Sequence, residues 1–312
     1  MSRLAAIRGI VPSLNTPFGA TGAIDRGSLP RLVDHLVRSG CSGALALAAA
    51  GETAHLDADE WTAIAGDLVA SAAGRLPLIL SLTAADLDGS LRRARIAASL
   101  KVPAVLWQPP GGASLDAIGD GIARLSAAAD CPLMLQDLDF TGDGLPLAWI
   151  EDLFERGNGF ESLKIEIIDA GPKYSEVLAA TGGALHVAGG WAVRTMTDAL
   201  ARGVHAFIPT GMEPLYVTVD RLWRSGDRAA SEALFASLKP ILDFSNRDLD
   251  HSIRFFKRMR HRTGLFATDR VRVTPGAMSA TEQREADRLI DHAIALERAL
   301  EQARLTAGGH AA

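Results

Sequence analysis

Up to Pro209, short apolar runs alternate with amphipathic stretches, and this repeat limits what the chain can fold into more than any other feature. The runs are Ile10–Leu14, Gly43–Leu47, Leu78–Leu82, Ala104–Trp107, Leu133–Gln136, Ser162–Glu166, Leu185–Ala188 and His205–Pro209. Between them lie stretches such as SLPRLVDHLVRSG, ADEWTAIAGDLVASAAG and SLDAIGDGIARLSAAA. In the first, Leu32, Val33, Leu36 and Val37 recur at helical spacing, turning one apolar face toward a sheet. Strand–helix alternation predicts a parallel sheet, and eight units predict a closed (β/α)8 TIM barrel. An open doubly wound sheet is the alternative. It fits less well, because no Gly-rich phosphate turn follows the first strand.

After about residue 224 the strand signal stops. Ala229–Phe244, Asp248–Arg262 and Thr281–Arg304 read as helices, the last with Thr281 as N-cap and Glu282 and Glu285 in its first turn. The tail TAGGHAA has little to order it. The expected organisation is a barrel over 1–224 and a three-helix C-terminal extension over 225–312, packed on the barrel as one domain with no linker. The chain's 312 residues, 48% of them hydrophobic, suffice for one large core. A net charge of −5 argues against a nucleic-acid partner. No apolar run approaches the roughly 20 residues that span a bilayer. The N-terminal segment lacks a signal peptide's uninterrupted apolar stretch and small-residue cleavage site, which predicts a cytoplasmic protein without a membrane partner. Cys41 and Cys131 have neither metal-site nor disulfide-framework spacing, so both are expected as buried, reduced thiols. No metal and no cofactor are expected.

Barrel enzymes keep their chemistry at the carboxyl ends of the strands. There the chain offers NTPFG, AAAGET, WQPPGG, QDLDF, KIE, AGGW and PTGMEP. Of its 32 basic residues only five are lysines: Lys101, Lys164, Lys173, Lys239 and Lys257. A lysine inside an apolar segment, in a chain that otherwise prefers arginine, invites a chemical explanation, since only the lysine amine can lose its proton and attack. Lys164 sits between Leu163 and Ile165, so it shares a strand face with Ser162 and Glu166. Facing inward, it is a candidate nucleophile, because burial disfavours the ammonium form. The plainer reading is a structural Lys–Glu ion pair.

The stretch TPFGATGAIDRGSLPRLVDHLVRSGCSGALALAAAGET resembles the opening of the dihydrodipicolinate synthase/N-acetylneuraminate lyase family, with its TPF segment and its strand ending in a Gly-Thr-Thr-Gly-Glu type motif. The Pro-Pro turn at Pro109–Pro110, the run CPLMLQD before the Lys164 strand, ARGVHAFIPTG and the helical tail match in order. The resemblance implies a class I mechanism in which Lys164 forms a Schiff base with a 2-oxo acid, usually pyruvate, without a metal. It also implies a cytoplasmic homo-oligomer, tetramer or dimer.

Several positions depart from that pattern. The two hydroxyl residues that hold the substrate carboxylate and relay protons fall on Ala49 and Ala50, while Gly51 and Glu52 remain. Backbone N–H groups of this turn can still bind a carboxylate. The family's proton-shuttling Tyr aligns with Gln136, whose amide hydrogen-bonds but neither takes nor gives a proton. Asp137, Leu138 and Asp139 replace an Asn-x-Pro, Phe140 and Thr141 stand where synthases carry an Arg, and Gly111–Gly112 replace an aromatic pair. Glu166 and Asp137 are therefore the candidate bases. Asp137 faces away from Gln136 by alternation unless the strand has ended. Glu166 must contact Lys164 or sit near solvent, and its place toward the strand's carboxyl end favours the mouth. Gly189 and Gly190 let substrate approach the backbone, and Ile208 holds the position where the family offers backbone to substrate. His55, Trp107 and Gln108 read as rim or packing, and His186 and His205 as scaffold.

The expected function is a lyase, an aldolase or a dehydratase, with Lys164, Gln136 and Glu166 catalytic and Ala49, Ala50, Gly51, Asp137, Gly189 and Ile208 binding the substrate. Genuine dihydrodipicolinate synthase activity is not expected. The alternative is a non-catalytic barrel that binds a keto acid or another small ligand after losing the proton relay.

Overall fold

A computed structural model describes residues 4, 6–190, 194–272, 276 and 278–308. Eight parallel strands alternate with helices in chain order. The strands are β1 (Gly9–Ile10), β2 (Ala44–Ala46), β3 (Leu78–Ser81), β4 (Ala104–Trp107), β5 (Leu133–Asp139), β6 (Phe160–Ile167), β7 (His186–Gly189) and β8 (Ala206–Phe207). The helices that follow them are α1 (Ser28–Ser39), α2 (Ala58–Ala72), α3 (Leu87–Ser99), α4 (Leu115–Ala129), α5 (Leu147–Arg156), α6 (Ala170–Ala180), α7 (Met196–Ala201) and α8 (Glu213–Arg224). The sheet runs β1-β8-β7-β6-β5-β4-β3-β2. It closes where Leu14 N–H donates to Leu45 O and Leu45 N–H to Pro12 O, both at 2.8 Å. This is a (β/α)8 barrel.

The expected first and last strands, Ile10–Leu14 and His205–Pro209, are longer than β1 and β8. Pro12 and Pro209 carry no N–H, so the regular ladder stops beside them. The chain nevertheless stays paired, Val11 N–H to Phe207 O and Ser13 N–H to Pro209 O. β5 and β6, in contrast, outrun their predicted ends in register, with Gln136 opposite Lys164 and Asp139 opposite Ile167.

Two apolar layers hold the barrel. Inside, Leu45, Ile79, Leu106, Met134, Ala188 and Ile208 share one cluster. Outward residues such as Leu163, Ile165 and Val187 pack with the helix faces in a second. Leu32, Val33 and Leu36 of α1 are fully buried there, as their spacing requires. Short polar caps start the helices: Asp57 accepts from Glu60 N–H in a capping box, and Ser114 accepts from Ala117 N–H.

Helices α9 (Arg228–Ser245), α10 (Leu249–Arg262) and α11 (Ala280–Gly308) follow, and Leu238, Ile241, Phe255 and Leu289 join the outer cluster. The cap of α11 is Ser279 rather than Thr281. Ser279 Oγ accepts from Glu282 N–H while the Glu282 carboxylate accepts from Ser279 N–H, a reciprocal cap that begins two residues earlier. This helix continues past Arg304 to Gly308, and residues 309–312 of the tail lie outside the described residues. No helix among the described residues is long and apolar enough to cross a membrane.

Candidate active site

The inward face of β6 carries Ser162, Lys164 and Glu166 in order from the barrel floor to its mouth. At the floor, His186 Nε2 donates to Ile7 O at 2.9 Å, which leaves Nδ1 to accept from Ser162 Oγ at 2.8 Å. His205 Nδ1 accepts from Val187 N–H, and its ring stacks on His186 with centroids 5.3 Å apart. Burial pushes both histidines down to about 4, so they are neutral scaffold groups.

One step up, Lys164 is 5% exposed. Its Nζ lies 2.5 Å from Glu166 Oε2, and Gln136 Nε2 donates to the same oxygen at 2.8 Å. Register explains the convergence, since Gln136 lies directly across from Lys164 and both side chains point inward. Glu166 combines both of its expected environments: it contacts Lys164 and its side chain keeps 14% exposure at the mouth. An amine, a carboxylate and an amide thus converge on one oxygen, Glu166 Oε2.

These groups line a chamber of about 60 Å³ walled by Ala48–Ala50, Leu138, Gly190 and Ile208. That is room for only a small head group. Phe140 and Leu249 form its rim and also border a neighbouring groove of about 800 Å³. Larger cavities exist elsewhere, including one of about 490 Å³ between α1 and α11. Neither is lined by Lys164, so position at the carboxyl ends of the strands, and not size, makes this chamber the candidate site.

Three expected site residues need correction. Asp137 does not join the cluster. β5 continues to Asp139, so alternation holds and Asp137 points outward, where it pairs with Lys173 of α6 at 2.6 Å and accepts from Leu145 N–H. Burial raises its carboxyl despite Lys173. Gly189 does not line the chamber. Its carbonyl accepts from Ile208 N–H in the ladder, and the chamber is lined by Gly190, where a Cβ would stand 2.8 Å from Lys164 Cε and 2.7 Å from Glu166 Cδ. The glycine there keeps the space over the amine open. Trp191 of the AGGW segment lies outside the described residues. Gly51 is buried in the three-residue 3-10 turn Ala49–Gly51, with its N–H on Ala48 O and its carbonyl accepting from Thr16 Oγ1. It shapes the turn without lining the chamber.

Trp107 is packing, pressed against Gly121 of α4, where a Cβ would lie 2.5 Å from its ring. His55 is exposed on the 3-10 turn Thr53–His55. The two tyrosines, Tyr174 and Tyr216, are fully buried and line no part of the chamber, so neither supplies the missing phenol. Cys131 is buried and Cys41 half-buried, both as free thiols. Among the described residues no group of three or more His, Cys, Asp or Glu is arranged to hold a metal ion.

Strand-end reasoning missed the residues that come from elsewhere. Asn246, Leu249 and Ser252, around the α9–α10 junction, reach the chamber over the barrel mouth. Their sequence signal is weak, because they follow a helix and no strand.

The model of the dihydrodipicolinate synthetase family matches residues 6–293. The L-2-keto-3-deoxyarabonate dehydratase of Azospirillum brasilense is 27% identical over 278 residues, which cover 85% of this chain and 87% of that protein. Among solved structures, dihydrodipicolinate synthase from Rhodopseudomonas palustris superposes with a TM-score of 0.84 at 22% identity, over 94% of this chain and 99% of that one. A catalytic-lysine mutant of the Ruminococcus gnavus sialic acid aldolase superposes at 0.86 and 16% identity, over 96% and 99%.

Proposed function

Because the chain belongs to the dihydrodipicolinate synthetase family, we propose that it is a lyase, an aldolase or a dehydratase, that acts on a 2-oxo acid through a Schiff base at Lys164. The observation that carries this reading is the convergence of Lys164 Nζ, Glu166 and Gln136 in a small chamber on the barrel axis. Two of the similar proteins, a dehydratase and an aldolase with a catalytic lysine, support it.

In this scheme Nζ gives its proton to Glu166 Oε2 and adds to C2 of the acid. The carbonyl oxygen leaves as water, taking one proton from Nζ and the other back from Glu166, which is again a free base. The iminium then accepts the electron pair released when a bond at C3 breaks. In a dehydration that bond is C3–H, and a hydroxyl departs from C4. In an aldol cleavage it is C3–C4, and the C4 hydroxyl loses its proton as an aldehyde forms. Glu166, oriented by Gln136, takes the proton in either case, which replaces the phenol that the family places opposite the lysine. In the cleavage Glu166 returns its proton to C3 of the enamine; in the dehydration it gives that proton to the departing C4 hydroxyl, which leaves as water. In both, water then hydrolyses the iminium to amine and product. Condensation of pyruvate with aspartate semialdehyde is not part of the reading, because Phe140 occupies the rim where synthases carry an arginine.

The test is turnover of a panel of 2-oxo acids bearing a C4 hydroxyl, followed as loss of substrate and formation of pyruvate or of the dehydrated acid. At least one should react, with Lys164→Ala inactive and aspartate semialdehyde giving no condensation. Activity that survives in Lys164→Ala, or ordinary synthase turnover, would overturn the reading.

A further inference from the structure

We infer that Asn246, held by Ser252, is the donor that binds the substrate's carboxylate, supplied by the C-terminal helices in place of the hydroxyls absent at Ala49 and Ala50. This rests on the Schiff-base reading of Lys164.

The starting observation is an orphaned group. Asn246 is 6% exposed, and its Nδ2 has no hydrogen-bond partner. A buried amide donor without an acceptor is destabilising, so native proteins rarely keep one except where function supplies the partner. Other buried polar atoms lack partners too, among them Asn15 Oδ1, Tyr216 Oη and Ser245 Oγ. Of all these, among the described residues, only Asn246 lines the chamber that holds Lys164.

The amide is placed by its element. Asn246 caps the C-terminus of α9, where its own N–H donates to Leu242 O. Ser252 Oγ, on the first turns of α10, lies 3.4 Å from Asn246 Oδ1 and occupies the carbonyl side of the amide, leaving the NH2 side for a ligand. Ser252 lines the chamber as well. α10 packs directly on the Ala49–Gly51 turn, so these donors and the turn build one wall.

Chemistry then selects the ligand group. Lys164 claims the C2 carbonyl of a 2-oxo acid, and the adjacent acceptor that every such acid carries is the C1 carboxylate. Among the described residues the chamber has no cation besides Lys164, which is paired with Glu166. The carboxylate must therefore be held by neutral donors, and a carboxamide N–H is one.

The experiment compares pyruvate with acetaldehyde, a carbonyl without a carboxylate, as the species trapped on Lys164 by borohydride, in wild type, Asn246→Leu and Asn246→Asp. The half-saturating pyruvate concentration should rise about 10–100-fold in Asn246→Leu and further in Asn246→Asp, with acetaldehyde trapping unchanged. The acetaldehyde arm also reports that the chamber and its amine are intact. Unchanged pyruvate saturation, or an equal loss for both carbonyls, would overturn the assignment. If neither carbonyl labels the wild type, the Schiff-base reading fails on its own. Calorimetry then decides the carboxylate site: pyruvate binding present in wild type and lost in Asn246→Asp supports it, and binding that is absent or unchanged overturns it.

Discussion

The proposed imine formation needs the Lys164 amine without its proton, and Glu166 Oε2, 2.5 Å from Nζ, is the proposed acceptor. Glu166→Gln keeps the shape and removes the acceptor. Turnover should fall about 10²–10⁴-fold, as loss of a general base typically costs, while the amount of trapped ligand at saturation stays the same. Wild-type turnover in this variant would show that another group moves the proton. The scarcity of lysine pointed toward Lys164 without isolating it. Lys173 and Lys257 are buried as well, and each is paired with a carboxylate, Asp137 and Glu52. What separates Lys164 is its chamber, which composition does not reveal. The stacked histidines at the floor give a pH prediction. Their folded values lie near 4 and their ordinary value is 6.5, so between those limits the unfolded chain binds more protons. The stability this contributes is fully present above pH 6.5 and falls on acidification, by up to about 1.4 kcal/mol per pH unit for each histidine. Urea unfolding at pH 7, 6 and 5 measures it, and a flat profile would contradict the neutral assignment.

At the scale of elements, strand alternation made much of the site legible. The two-residue period of β6 put Lys164 and Glu166 inside together, and the same period on β5 sent Asp137 out to Lys173. That second outcome turned on where β5 ends. Local sequence does not settle a strand end, because Asp139 is held by pairing with Ile167 across the sheet and by no propensity of its own. One residue of uncertainty on β7 likewise exchanged Gly189 for Gly190. The Ala49–Gly51 turn is held by a contact of high sequence separation. Lys257 of α10 and Glu52 form a fully buried ion pair, in which Lys257 Nζ also donates to Arg270 O at 2.9 Å and Glu52 accepts from Arg272 N–H at 2.6 Å. Lys257→Met removes the ammonium that faces the buried Glu52 carboxylate, at a cost of about 3–5 kcal/mol in denaturant unfolding. The double change with Glu52→Gln should recover part of that loss. A single variant as stable as wild type would mean that the pair contributes nothing to holding the turn.

At the scale of the whole molecule, the barrel was readable because eight repeats of one supersecondary unit have few ways to close. The roof of the site was not. Asn246, Leu249 and Ser252 reach the chamber only after the chain has circled the barrel and doubled back, and no local pattern encodes that return. The barrel therefore supplies Lys164 and Glu166, and the C-terminal helices supply part of the chamber wall. The central claim is the covalent bond between substrate and Lys164, and intact-mass analysis with peptide mapping after borohydride reduction in the presence of 2-oxo acids tests it most directly. The account predicts one added mass per chain, equal to the reduced ligand, on the peptide containing Lys164 and absent from Lys164→Ala. An unlabelled protein across a broad panel, or label confined to exposed lysines such as Lys101 and Lys239, would contradict it.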